Sequence, residues 1–162
     1  MLAYLPNESN SLLFSMALSY LGDCQRIFPS DSRPLEEALW RIVTTNPVSQ
    51  HRLQAFRLYR SIADSEEAVQ RLYTLWQERK APKDCALSES DYIGLSYILA
   101  IHLPEKADKI IATQLSRIQN PDRKKEYQFI SPSVSPRKAE RDSVFASLLI
   151  AGNRRVEPWA SR

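Results

Sequence analysis

An all-α fold is predicted by three features of this sequence. Glycine is scarce, at three of 162 residues. Apolar residues recur at spacings of three and four, and nowhere do β-branched and polar residues alternate for long. Proline and capping residues cut the pattern into helices of roughly 12–17 residues joined by short links, which favours antiparallel neighbours, either as stacked helix pairs or as a closed bundle. Helix pairs recur at something near 30 residues, without a convincing sequence repeat. The chain is read as one helical-repeat domain over residues 1–162.

The first helix is expected over residues 7–23, with Leu12, Leu13, Met16, Ala17, Tyr20 and Leu21 inward and Gly22 marking its end. Pro34 is well placed to start a second, to Thr45, with Leu35, Ala38, Leu39, Ile42 and Val43 as the buried stripe. Asn46-Pro47 breaks it and opens a third helix to about Ala63, with Leu53, Phe56 and Tyr59 or Arg60 inward. Asp64, Ser65 and Glu67 supply a cap and a first-turn acid for a fourth, whose stripe is Ala68, Val69, Leu72, Leu75 and Trp76. Ser88 with Asp91 imitates a capping box for a fifth through Leu103, apolar nearly all round and so expected to be the most buried element. A sixth follows Pro104, with Ala107, Ile110, Ile111, Gln114, Leu115 and Ile118 inward.

The stretch Asn120 to Trp159 carries the most specific punctuation. Asn120 caps a helix whose first residue is Pro121, and Ser135-Pro136 repeats that start before Ala139, Val144, Phe145 and Leu148. Gly152 and Asn153 are placed to end that helix in a left-handed residue, with another starting over Arg154 to Trp159. A helix barely begun where the chain stops is the expectation for a piece of a longer protein.

The composition, 43% hydrophobic and 25% charged, is that of a folded chain. The net charge of +3 is unevenly spread, since residues 104–162 carry 12 Lys and Arg against 7 Asp and Glu. Asp122, Glu126, Glu140, Asp142 and Glu157 interrupt those basic clusters, so nucleic acid is not the expected partner; an acidic surface or a peptide carboxylate suits the pattern equally well. Cys24 and Cys85 lack CxxC spacing and read as free thiols. The first ten residues have no basic opening or long apolar run, so no signal peptide is expected there. No apolar run approaches the roughly 20 residues of a membrane span. A soluble protein is expected, its compartment left open between cytoplasm and periplasm.

Catalytic signals are missing. His51 and His102 are distant in sequence and neither lies in HExxH, and no nucleophile motif, phosphate loop or metal-ligand spacing is present, so no catalytic residue and no metal or cofactor is expected in this chain. His51 reads as a polar residue near a helix start, His102 as a hydrogen-bonded one at the end of the fifth helix. Asp122 suits the positive end of its helix, with Arg123 solvated or in an interhelix ion pair. Arg141 and Phe145 share a helical face, the ring expected in the core and the guanidinium on a carboxylate or helix C-terminus. Arg154, Arg155, Glu157 and Trp159 mix charges with an aromatic anchor.

Leu87-Ser-Glu-Ser-Asp-Tyr92, Gln114-Leu-Ser-Arg-Ile118, Asn120-Pro-Asp-Arg123, Phe129, Ser135-Pro136, Arg141-Asp142, Phe145 with Leu148, and Asn153-Arg154 through Glu157-Pro-Trp159 follow one another in an order that resembles the C-terminal helical region of bacterial zinc aminopeptidases related to aminopeptidase N. The resemblance covers residues 87–159. It implies a right-handed alpha-alpha superhelix of antiparallel helix pairs, HEAT- or armadillo-like, here a truncated array. It also implies that zinc and its HExxH ligands lie upstream in a catalytic domain of the same polypeptide, and that this region walls the substrate chamber and limits peptide entry. Arg123, Arg141, Arg154 and Arg155 are the candidates for contact with peptide substrate or the neighbouring domain. Asp122, Asp142, Phe145, Glu157 and Trp159 are the candidate structural anchors. A free-standing helical-repeat interaction module is the alternative, and a dimer through exposed repeat ends stays open.

Overall fold

The computed structural model describes residues 4–28 and 30–155. Eight α-helices follow in order: α1 (Ser11–Ile27), α2 (Arg33–Thr45), α3 (Ser49–Ile62), α4 (Glu66–Glu78), α5 (Glu89–His102), α6 (Ala107–Arg117), α7 (Pro121–Ile130) and α8 (Lys138–Leu149). Short 3-10 turns lie at Leu5–Asn7, Pro104–Lys106, Ser131–Val134 and Asn153–Arg155. No strand occurs among the described residues, so the fold is all-α. The chain divides into two compact units, residues 1–91 and 92–162, with the division inside α5.

In the first unit α3 is the shared partner of α1 and α2. Its buried positions His51, Ala55, Phe56 and Tyr59 repeat at helical spacing, and Trp40 of α2 meets Tyr59 at 5.2 Å between ring centroids. The α2 stripe is buried at Leu35, Leu39, Ile42 and Val43, and the α4 stripe at Ala68, Val69, Leu72, Leu75 and Trp76, as the periodicity requires. Ser65 caps α4 by accepting from Ala68 N at 3.2 Å. Arg79, at φ 53°, takes the left-handed conformation just beyond the last turn of α4.

α1 departs from expectation. Asn10 caps it, accepting from Leu12 N and Leu13 N, and it runs past Gly22 to Ile27. The buried residues are Phe14 and Leu18, while Leu12, Leu13, Met16 and Tyr20 are exposed. Phe14, Leu18 and Gly22 lie one turn apart. Phe14 stacks on His51 of α3 at 4.0 Å between centroids, and a Cβ added at Gly22 would lie 2.9 Å from Leu58 Cδ1. Gly22 is therefore a point of close helix approach, not a terminator. α3 also begins at Ser49, later than Asn46-Pro47 predicts, because the Asn46 side chain turns the chain first by accepting from Val48 N at 2.9 Å.

In the second unit α5 buries Tyr92, Leu95, Ser96, Leu99 and Ala100 but leaves Ile101 55% exposed, so it is not enclosed on every side. Ser96 Oγ and the Tyr127 hydroxyl of α7 are hydrogen-bonded at 2.9 Å, and Tyr97 stacks on Tyr127 at 5.1 Å. Burial pushes the Tyr127 phenol up to about 12. α6 buries Ala107, Ile110 and Gln114, with Ile118 just past its end.

Asn120 caps α7 as predicted, accepting from Asp122 N and Arg123 N at 3.0 Å. α8 starts at Lys138; Ser135 Oγ accepts from Arg137 N at 3.1 Å, so the Ser-Pro pair forms the turn before the helix and not its first residues. None of the α8 residues is buried, and Gly152 has no positive φ, so α8 ends at Leu149 without the expected left-handed residue. Asn153–Arg155 forms the start of the expected final helix only as a 3-10 turn, while Glu157 and Trp159 lie outside the described residues.

Gly22→Val should lower stability by about 1 kcal/mol, the low end of overpacking penalties, because the atom it meets is the movable end of the Leu58 side chain. Urea denaturation of Gly22→Val, Leu58→Ala and the double variant checks it: the double variant should be more stable than the sum of the single losses allows.

Candidate functional site

The four candidate arginines do not converge. Arg123 sits in the exposed first turn of α7. Arg141 donates to the Ser135 carbonyl at 2.6 Å, before the start of α8, and Arg154 donates to the Leu148 carbonyl near its end. Those two carbonyls lie toward opposite ends of α8, so the two guanidinium groups are held apart. Arg155 is exposed in the turn beside Arg154. Arg141 thus reaches the C-terminal cap of the 3-10 turn Ser131–Val134, and Arg154 the C-terminus of α8.

Among the anchors, Asp122 occupies the first turn of α7, as its charge favours. Asp142 is paired with Lys138 at 2.5 Å on the surface of α8. Phe145 is 67% exposed, so it is not the core residue expected. Arg137, at the cap of α8, is the better-connected basic residue there. It reaches Asp108 of α6 at 2.8 Å and Glu140 at 2.5 Å.

A buried polar constellation lies in the first unit, where only the Ser88–Asp91 part is legible in the sequence. Asp91 and Ser88 close the expected capping box: Ser88 N and Ser88 Oγ donate to Asp91 Oδ2 at 3.0 and 2.7 Å, and Asp91 N donates to Ser88 Oγ at 3.2 Å. Two α3 arginines complete the site. Arg57 makes a bidentate contact with the Asp91 carboxylate at 2.9 and 3.2 Å, and Arg60 donates to the Asp91 carbonyl at 3.1 Å. Burial disfavours the Asp91 charge, but hydrogen bonds from Arg57 and Ser88 outweigh it and hold the carboxyl at about 2.

Glu36 of α2 is the second buried carboxylate. It is 3% exposed and accepts from Ser32 Oγ at 2.8 Å, Asp64 N at 2.8 Å, Ser65 N at 3.1 Å and Ser65 Oγ. Burial opposes its charge, yet the Ser65, Asp64 and Ser32 donors hold it below the usual carboxylate range. Glu36 thus satisfies orphan amides at the start of α4. It floors an open depression of about 900 Å³. Asp31, Glu37, Asp64, Glu66 and Glu67 also line that depression, against Arg33 and Arg71. Arg71 is tied down by Tyr59 Oη at 2.9 Å, by Glu67 at 2.5 Å and by the Trp40 ring 4.7 Å beneath it.

His51 is fully buried, accepting or donating at Nε2 with Ser11 Oγ at 3.0 Å, while its Nδ1 has no hydrogen-bond partner. It lies near the start of α3, as expected, and its ring is buried in the α1–α3 contact. His102 ends α5. Among the described residues no group of three His, Cys, Asp or Glu side chains is placed to hold a metal ion. Cys24 and Cys85 are free thiols; burial and the nearby Asp91 charge push the Cys85 thiol up, away from nucleophilic chemistry. No described helix is long and apolar enough to cross a membrane.

The constellations around Asp91 and Glu36 therefore position helices and present charged surface. Compared with models of known protein families, with curated proteins and with solved structures, the chain matches none.

The Asp91 shift fixes a pH window. With the folded carboxyl at about 2 and its ordinary value at 3.8, its contribution is present above about pH 4 and lost as pH falls toward 2. Asp91→Asn should cost about 2 kcal/mol at pH 7 and almost nothing near pH 2. Urea midpoints of both proteins measured from pH 7 to 2 should converge on acidification; a gap that stays constant would refute the charge as its source.

Proposed function

We propose that this chain is a non-catalytic helical region of a zinc aminopeptidase related to aminopeptidase N, walling the substrate chamber and limiting which peptides enter. The reading rests on the ordered segments from Leu87 through Trp159. It is supported by α8, the helix within the resembling stretch that buries none of its residues: Phe145, Leu149 and Ile150, at its end, are 67, 66 and 60% exposed. Apolar surface of that kind is what another part of a longer polypeptide would cover. The described residues do not fit a zinc site, since His51 is enclosed between α1 and α3 and no metal-binding group is assembled. Zinc would be held by the catalytic domain of the parent, and no bond-breaking step passes through this chain.

Within that reading the chain works by shape, excluding folded proteins while admitting peptides, with Arg123, Arg141, Arg154 and Arg155 as the basic groups facing substrate or the catalytic domain. A free-standing helical interaction module is the second reading, favoured by the exposed apolar stripe of α1.

Two measurements test the proposal. The reading frame that encloses residues 1–162 should carry an HExxH motif and a distant glutamate upstream; a frame lacking them overturns the family reading. The purified 162-residue chain, supplied with zinc, should release no p-nitroaniline from aminoacyl p-nitroanilides. Turnover that persists through repeated purification would overturn the non-catalytic role.

A further inference from the structure

α1 presents more exposed apolar side chain than any other helix, and the pattern of that surface is symmetric. Leu12, Leu13, Met16, Tyr20 and Ile27 are 69, 52, 59, 60 and 64% exposed, and Phe28, immediately after the helix, is 74% exposed. Leu13, Tyr20 and Ile27 are spaced by seven, with Met16 between the first two, which is the seam spacing of packed helices. Reversing the helix about Tyr20 sets Leu12 opposite Phe28, Leu13 opposite Ile27, Met16 opposite Cys24, and Tyr20 opposite itself. A surface that maps onto itself in this way is what an isologous two-fold contact requires.

We propose that α1 is a homodimer interface, its occupant the antiparallel α1 of a second copy of this chain. Charge agrees with a like partner: Asp23 and Arg26, the charged residues of α1, are paired to each other at 2.5 Å, so the stripe carries no net charge to repel its own copy. Ser19, exposed and small, flanks the stripe. Fully covered, the exposed apolar surface of these residues would amount to roughly 600–800 Å² per copy, an upper limit that approaches the about 800 Å² per partner of a standard stable interface. The opposite face of α1, with Phe14, Leu18 and Gly22, is occupied within the chain, so dimerisation leaves the α1–α3 contact intact.

This inference stands apart from the aminopeptidase reading, because it concerns the 162-residue chain itself. Sedimentation equilibrium under reducing conditions should show the 18.6 kDa chain in a concentration-dependent equilibrium with a species of twice that mass. Met16→Glu combined with Tyr20→Glu should weaken association by about a hundredfold or more, since each interface would then bury four unpaired carboxylates. The helical circular dichroism should be unchanged, as both side chains already face outward. In a Cys24→Ser background, Tyr20→Cys should oxidise rapidly to a covalent dimer, whereas Phe145→Cys on α8 should not. A chain that stays monomeric at all concentrations, a dimer indifferent to the glutamates, or equal cross-linking at the two cysteines would overturn the proposal. A monomeric chain whose α1 is instead protected from labelling by another segment of its own polypeptide would overturn it equally.

Discussion

The Asp91 carboxylate is the constraint on which the first unit turns. It is a buried charge at the start of α5, and a buried charge persists only if its partners are complete. Ser88 supplies the local half by closing the capping box, and Arg57 supplies the distant half from α3. Arg60 then takes the Asp91 carbonyl, so the main chain and the side chain of one residue are both fixed to the same helix. Burial lowers the Arg60 guanidinium while Asp91 raises it, and the charge that survives is held beside its counter-ion. Removing one partner from such a set costs more than the pair contributes, because the remaining charge is left in a poorly solvating site.

Glu36 solves the same problem differently. Arg33, in the first turn of its own helix, makes its direct ion pair with Asp31, and Glu36 is instead ringed by hydroxyl and amide donors from Ser32, Asp64 and Ser65. The amides belong to the start of α4, so the orphan donors of one helix become the solvation shell of a carboxylate on another. Arg71 adds a third tie from α4, lying over Trp40 and donating to Tyr59. Helix ends, more than helix faces, carry the directional interactions in this unit.

The helical fold class and most inward stripes were legible because periodicity is local. The stripes of α2, α4 and α6 fall where spacing puts them, and Asn120, Ser65 and the Ser88–Asp91 box act as their residue types predict. The polar members of the stripes were harder to see. Glu36, His51 and Asp91 each lie on a buried row, with Leu39 and Val43, with Ala55 and Tyr59, and with Leu95 and Leu99. A stripe search that counts only apolar residues passes over them, and their partners Arg57 and Ser65 are set by tertiary packing. α1 failed for a related reason. It has apolar residues on two sides, and periodicity alone favours the larger set. The docked side is the one with Gly22, because close approach to Leu58 needs a missing side chain more than an extra one.

The same reasoning sets an order among the arginines. Arg141 and Arg154 donate to the carbonyls of Ser135 and Leu148, groups that flank α8 and lack helical partners of their own. Drawing either guanidinium toward a peptide would give up a charge-assisted hydrogen bond worth about 1.5–3 kcal/mol. It would also loosen an end of a helix that none of its own buried side chains holds in place. Any contact with peptide by these two residues must therefore replace one carbonyl or carboxylate by another without a net loss of partners. A substrate's terminal carboxylate, accepting two donors from one guanidinium, is the kind of group that meets that condition. A role in binding is then compatible with the structural role only where the ligand is itself an anion.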